Sequence, residues 1–321
     1  MTSGRHLVDA AERTFNDLIE RAIPDPPPYK HTRHWVKSDP RREHIVMRFD
    51  SDGVPPLILK QAFRPDDPAE FSGIVKNHQA AQTAVAGHGS ATVPQILAVD
   101  VARQAYLMTF LPGETLLDAC RQHDDHRPFL RQTGQWLAAY HAGTFEQDRV
   151  FQPKFMAQHM RHLVDQMDKG DRKIKGQQRF KALVRQVPDL AARCSGRPSK
   201  TAAKHGDMNA HNILLTDTGV GAFDFLPYSV APVGYDIARI LLSYAQMVAD
   251  IKAIPKGHVM PPAMFDAFFE GYDFVPPDDP GVTFLTRIQI LTDWNRFNHS
   301  LSVNATVRFQ RLRAIANRAF D

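Results

Sequence analysis

His205-Gly206-Asp207-Met208-Asn209-Ala210-His211-Asn212, with Phe223-Asp224-Phe225 close behind, gathers into one short stretch the groups that phosphoryl transfer from a nucleotide requires. Asp207 offers a carboxylate that can orient an attacking hydroxyl and accept its proton. Asn212, five residues on, offers an amide oxygen, and Asp224, twelve residues further, a second carboxylate. Together they are hard oxygen donors of the kind that hold Mg2+ against phosphates, and one or two such donors suffice because the ion keeps several waters. Taken singly, a loop Asp is commonly a helix cap and a loop Asn a turn former. The joint spacing, set beside the strand-like run Ile213-Leu214-Leu215, is what points to chemistry. Far upstream, Lys60 ends the apolar run Leu57-Ile58-Leu59 and supplies a cation for the phosphates.

In order, Lys60, then H-x-D-x-x-x-x-N at 205–212, then x-D-F at 223–225 resembles the protein-kinase-like superfamily. The H-G-D form resembles its small-molecule branch, the aminoglycoside phosphotransferase and choline kinase-like families. The resemblance implies an α+β, two-lobed protein-kinase-like fold, with a small β-rich N-terminal lobe at residues 1–111 and a larger helical C-terminal lobe at residues 112–321. It implies Mg2+-assisted transfer of the ATP γ-phosphate to a hydroxyl of a small molecule, of aminoglycoside, amino alcohol, amino acid or sugar type. Asp207 is then the general base, Asn212 and Asp224 the metal ligands, and Lys60 the phosphate contact. Residues 106–116 resemble the inter-lobe hinge, where Met108, the Thr109 C=O and the Leu111 N–H would receive the adenine. His205 is expected to brace the catalytic loop. Asp236 is expected to be a buried carboxylate that starts a helix and anchors that loop. The helical insert at 115–195 and the C-terminal helices would form the acceptor site.

Two departures accompany the resemblance. No glycine-rich phosphate loop lies between the first two strands, which are joined by Val36-Lys37-Ser38-Asp39-Pro40-Arg41-Arg42-Glu43. Ser38 and neighbouring backbone N–H groups are expected to cover the phosphates instead, with Arg41 or Arg42 adding charge. The family pattern also calls for a Glu on the helix after Lys60. Here Glu70 comes early and Asn77-His78-Gln79 occupies the matching stretch, so either Glu70 or Gln79 is expected to support the lysine. The alternative these departures raise is a pseudokinase, a nucleotide-binding or interaction module without transfer. Against it stand the intact Asp207, Asn212 and Asp224. A protein kinase is disfavoured, because the Asp224–Asp236 interval is too short for a long activation loop.

The elements that must position these residues follow from pattern. Leu7, Val8, Ala11, Phe15, Leu18 and Ile19 recur at helical spacing, predicting a helix over 4–22 that the prolines at 24–28 end. Strands are predicted near 34–36, 43–50 and 56–62, the last two joined by the Asp52-Gly53 turn, and again at 93–99 and 105–110, with a helix over 68–87. Beyond residue 111 the pattern is helical at 115–122, 127–144, 154–168, 177–193, 234–250, 261–272 and 282–319.

Composition narrows the classes. With 321 residues, 43% hydrophobic and 23% charged, the chain can build a sizeable core. A net charge of +4 gives no electrostatic case for a nucleic acid partner. The basic run 169–185 reads as a solvated helix face, or as a patch for an anionic substrate or partner. No apolar run approaches the ~20 residues of a membrane span, and no secretory signal is visible at the start. Two cysteines, Cys120 and Cys194, read as free thiols, so a cytoplasmic setting is expected.

Overall fold

The computed structural model describes residues 5–298 and 302–321. Gly4 of the first predicted helix, and residues 299–301 of the last, lie outside them. Helix α1 (Arg5–Ala22) buries Leu7, Ala11, Phe15, Leu18 and Ile19 along one stripe. Strands β1 (Lys30–Ser38), β2 (Glu43–Ser51) and β3 (Val54–Arg64) follow, then α2 (Pro68–Val85), the two-residue β4 (Ala91–Thr92), β5 (Ile96–Asp100) and β6 (Ala105–Thr109). Five of these strands form an antiparallel sheet in the order β1-β2-β3-β6-β5.

The two faces of this sheet have different tasks. On one, Ile45, Met47, Phe49, Leu57, Leu59 and Leu107 pack against the apolar stripe of α1. On the other, Ile58, Tyr106 and Met108 meet Phe71 and Val75 of α2. Because strand side chains alternate, His44, Val46 and Arg48 of β2 share this second face with Ile58 and Lys60 of β3. They are only half-buried, with Val46 packed at the margin of the cluster that holds Phe71 and Val75. That open face looks onto the segment that carries Asp224.

The rest of the chain wraps a second, larger core. It contains β7 (Glu114–Thr115), α3 (Leu116–Gln122), α4 (Arg127–Gly143), β8 (Phe145–Val150), α5 (Lys154–Asp168), α6 (Gln177–Val184), α7 (Val187–Cys194), β9 (Pro198–Ala203), β10 (Ile213–Thr216), β11 (Gly219–Ala222), β12 (Val230–Pro232), α8 (Gly234–Met247), α9 (Pro262–Gly271), α10 (Pro280–Trp294) and α11 (Val303–Phe320). Trp136 and Tyr140 of α4, Ile237 and Leu241 of α8 and Trp294 of α10 are buried at its centre. Ala81, Ala84 and Val85 of α2, with Val93, belong to this core rather than to the sheet. Strand β4 pairs with β11, which stitches the first 111 residues to the β10–β11 hairpin.

Several elements differ from the pattern-based expectation. The helix predicted over 177–193 is two helices, α6 and α7, with Pro188 in the first turn of α7, where its missing N–H is harmless. The helix predicted over 282–319 is likewise divided into α10 and α11, and Ser302 caps α11 by accepting from the Ala305 N–H. The sheet β12-β9-β8 was not predicted. The reason is visible in β8, whose Phe-Glu-Gln-Asp-Arg-Val is exposed throughout and carries no alternation to read. The basic run 169–185 is partly self-neutralised: Lys181 pairs with Asp168 and Arg179 with Asp321, while Arg172 donates to Asn295. Cys120 and Cys194 are free and buried, and burial pushes the Cys120 thiol up to about 12. No helix among the described residues is long and apolar enough to cross a membrane.

Candidate active site

The antiparallel hairpin β10–β11 fixes the first geometric relation. Ile213 pairs with Ala222, so the residues just outside the ladder, Asn212 and Phe223, face one another, and the Phe223 N–H donates to the Asn212 carbonyl at 3.2 Å. Asp224 is thereby held beside Asn212. Its φ is +65°, a left-handed backbone conformation that costs a non-glycine residue free energy and that clusters at functional positions.

Asp236, in the first turn of α8, organises the segment before Asp207. It is 1% exposed, and its two oxygens accept from the His205 N–H at 2.7 Å and the Gly206 N–H at 3.0 Å. Burial alone would raise its pKa. His141, His205 and the Gly206 N–H outweigh burial and hold the carboxyl below its ordinary value. Gly206 has φ +85°, and a Cβ there would meet the Leu226 side chain at 2.8 Å, so only glycine fits between His205 and Asp207.

The His205 ring is buried and spans the two halves of the site. Its Nδ1 accepts from the Asp207 N–H at 3.3 Å, and its Nε2 faces the Phe223 carbonyl at 3.1 Å. Those partners require the neutral tautomer with the proton on Nε2, and burial lowers the ring's pKa accordingly. Ring contact with Phe225, centroids 4.4 Å apart, completes the brace.

Asp207 itself is held through both carboxylate oxygens. Oδ1 is paired with Arg239, one turn along α8 from Asp236, and Oδ2 accepts from Asn212 Nδ2 at 3.1 Å. Asn212 Nδ2 also donates to the Asp207 carbonyl at 2.9 Å. This fixes the amide's orientation and leaves Asn212 Oδ1 without a hydrogen bond among the described residues. Asp224 Oδ1 is paired with Lys60, which leaves its Oδ2 without one as well. Two uncommitted oxygens on adjacent residues suit a hard divalent cation that draws its other ligands from phosphates and water. Among the described residues, no group of three or more His, Cys, Asp or Glu forms a protein-only cage.

Lys60 stands on β3 between Val46 of β2 and Tyr106 of β6. Burial opposes its charge, but the Asp224 carboxylate and the Tyr106 hydroxyl more than offset this and raise its pKa. Lys60 in turn holds the Asp224 carboxyl low against its own burial. Neither expected helix partner serves it. Glu70 is exposed in the first turn of α2, where its N–H donates to the Asp67 cap at 2.9 Å. Gln79 is exposed, and its side chain makes no hydrogen bond among the described residues, though its carbonyl accepts from the Thr83 hydroxyl. The helix spacing explains the miss, since positions 77 and 78 face inward and 79 outward.

The inward residue is Asn77. Its Nδ2 donates to the Lys204 and Leu226 carbonyls, each at 2.8 Å, and its Oδ1 accepts from the Tyr140 hydroxyl at 2.8 Å. These bonds tie α2 and α4 to the chain just before His205 and just after Phe225. Asn77→Ala strands all three partners in the interior and should destabilise the protein by roughly 2–4 kcal/mol. Gln79→Ala should stay within about 0.5 kcal/mol. Paired thermal and urea melts check the contrast.

On the hinge side, Met108 is 8% exposed and pairs across the strands with Ile58. The Thr109 N–H donates to the Gln95 carbonyl, and its hydroxyl accepts from the Gln95 N–H, both at 2.9 Å. The Leu111 N–H makes no hydrogen bond among the described residues, and the Leu111 side chain lies close over Gly221. The Arg48 guanidinium sits 4.3 Å from the Phe110 ring centroid, anchored by Asp50. Ser38 stands apart from these residues, and its hydroxyl donates to Glu43 at 2.8 Å.

Arg239 was not singled out from the sequence. The available signal was its position three residues after Asp236, which puts both side chains on one face of α8. A cavity of about 410 Å³ lined by Arg172, Lys173 and Arg313 contains none of the catalytic segments.

An antiparallel sheet lobe against a helical lobe, with this arrangement between them, is the architecture of kinase-like phosphotransferases. The chain belongs to the phosphotransferase enzyme family, whose model matches residues 35–278, and so to the small-molecule kinases. No curated protein matches by sequence. Among solved structures, it resembles a choline/ethanolamine kinase family protein from Mesorhizobium loti, at 15% identity and a TM-score of 0.56, over 95% of this chain and 94% of that one. A macrolide 2′-phosphotransferase from Brachybacterium faecium is similar at 15% identity and TM-score 0.54, over 95% and 97% of the two chains. Choline kinase from Cryptosporidium parvum is similar at 12% identity and TM-score 0.55, over 96% and 95%. At these identities the likeness is one of fold.

Proposed function

We infer that the protein transfers the γ-phosphate of ATP to a hydroxyl of a small molecule, with Asp207 receiving the hydroxyl's proton. The observation that carries this reading is the fixed Asp207 carboxylate. Arg239 and Asn212 grip its two oxygens without consuming their remaining lone pairs, so it can still accept a hydrogen bond from a substrate. Asp224 and Asn212 Oδ1 would hold Mg2+, which when bound supplies positive charge to the phosphate oxygens. Lys60 neutralises the phosphates from the sheet side. The Lys60–Asp224 pair keeps two opposite charges compensated until the nucleotide and its metal divide them. The slot formed by Met108, Thr109 and Leu111 receives the adenine. The cytoplasm is the compartment this reading implies.

The intact trio of Asp207, Asn212 and Asp224 favours transfer over a purely nucleotide-binding role. Isothermal titration should show Mg2+-dependent ATP binding that weakens roughly 10-fold or more in Asp224→Ala, the loss of a charged contact. Metal-independent binding insensitive to that change would overturn the assignment. A screen of choline-type amino alcohols, hydroxy amino acids, amino sugars and aminoglycosides as acceptors then identifies the substrate by ADP release.

A further inference from the structure

The turn between β1 and β2 has no glycine; from Lys30 to Asp52 the chain contains none. Its donors are also already spent. The Asp39 carboxylate accepts from the backbone N–H of Arg41 at 2.8 Å and of Arg42 at 2.9 Å, and the Asp39 N–H donates to the Arg42 carbonyl at 2.8 Å. These hydrogen bonds hold the Asp39 carboxyl below its ordinary range, so it stays ionised beside the exposed Arg41 and Arg42. The Ser38 hydroxyl is bound to Glu43. With those N–H groups and the Ser38 hydroxyl engaged, the turn's charge comes from its arginine side chains and its backbone is a poor cover for phosphates, contrary to the expectation for Ser38 and its neighbouring N–H groups.

Two residues past the turn, His44 faces the cleft. Its neighbours on β2, Glu43 and Ile45, point the other way, and Ile45 is fully buried against α1. Across the ladder it pairs with Lys37 of β1 and Ala62 of β3. Lys60 is its diagonal neighbour on the same face, with Cβ atoms roughly 7 Å apart for such a pair. Neither ring nitrogen makes a hydrogen bond among the described residues. Burial, then the Lys60 ammonium, lower the ring's pKa, so it offers a neutral N–H rather than a second charge.

We propose that the nucleotide's phosphates are held from the sheet side by the His44 imidazole N–H beside Lys60, a side-chain contact that replaces backbone donors of the turn. The proposal rests on the phosphotransferase reading of the cleft. Its test compares Mg2+-ADP with AMP as ligands of the full chain, by titration calorimetry, for wild type, His44→Ala, His44→Gln and Asp224→Ala. His44→Ala should weaken Mg2+-ADP roughly 10-fold, the value of a hydrogen bond to a charged group, and leave AMP unchanged. His44→Gln, whose amide can donate from nearly the same place, should recover part of the loss. Equal weakening of ADP and AMP would show a merely structural role and overturn the proposal, as would His44→Ala binding ADP like wild type. If Asp224→Ala weakens ADP while His44→Ala does not, the cleft reading stands and the His44 contact falls. If the wild type binds no nucleotide, both fall.

Discussion

Asp207→Asn should leave Mg2+-ATP affinity close to wild type and cut turnover by ~10²–10⁴, the range a positioned general base contributes. The replacement keeps the side chain's size but cannot receive the hydroxyl's proton. It also sets one NH2 against either Arg239 or Asn212 Nδ2, both of which donate, so one of the two grips on the residue is lost. The side chain is 39% exposed, so that mismatch is relieved by water and the fold should hold. Phosphoryl transfer leaves the protein mainly positioning and charge stabilisation, so the reaction is slowed rather than abolished. Single-turnover transfer, measured beside nucleotide affinity, separates the two effects. Wild-type transfer by Asp207→Asn would sink the catalytic reading of the whole motif.

Asp236→Ala should do the opposite and damage the fold first. The carboxylate is buried, and its removal strands the N–H groups of His205 and Gly206 along with the nearby His141 ring. Breaking a buried charged network by deleting one partner costs roughly 3–5 kcal/mol. For a chain of this size that lowers the melting temperature by on the order of 10 °C. Activity per folded molecule should fall as well, because these two N–H groups set the approach of the chain to Asp207. The same residue gives a pH signature. Its folded pKa lies below the ordinary aspartate value of about 3.9, so its contribution to stability is complete above that pH. It is lost as pH falls through the folded pKa. Urea melts between about pH 3 and 6 should show wild type losing stability at the acid end and Asp236→Ala losing less. Parallel pH curves for the two proteins would show that Asp236 carries no such linkage.

The stretch that carries Asp207, Asn212 and Asp224 stands out in the sequence because its parts are local. Asp207, Asn212 and Asp224 lie within eighteen positions; the polar, Gly-rich segment 217–221 reads as a turn between the last two, and in the structure the hairpin, whose ladder already resumes at Gly219, brings them side by side. Local hydrogen bonding and strand alternation carry that information. The first helix and β2 were equally readable, because each buries one clean face, whereas β1 is exposed almost throughout and shows in the sequence only near 34–36.

What the sequence left open depends on contacts between distant segments. The partner of Lys60 is Asp224, 164 positions away, and no helix-period argument about Glu70 or Gln79 reaches it. Asn77 is indistinguishable from a surface residue until α4 and the catalytic segment close over it. Arg239 acquires a role only when α8 lies beneath the loop it holds. His44 matters because the donors of its own turn are turned on Asp39. Spacing along one chain decides which groups one hairpin or helix face presents. Packing of the second core decides which of those groups meet across the cleft, because only burial removes the water that would otherwise satisfy them.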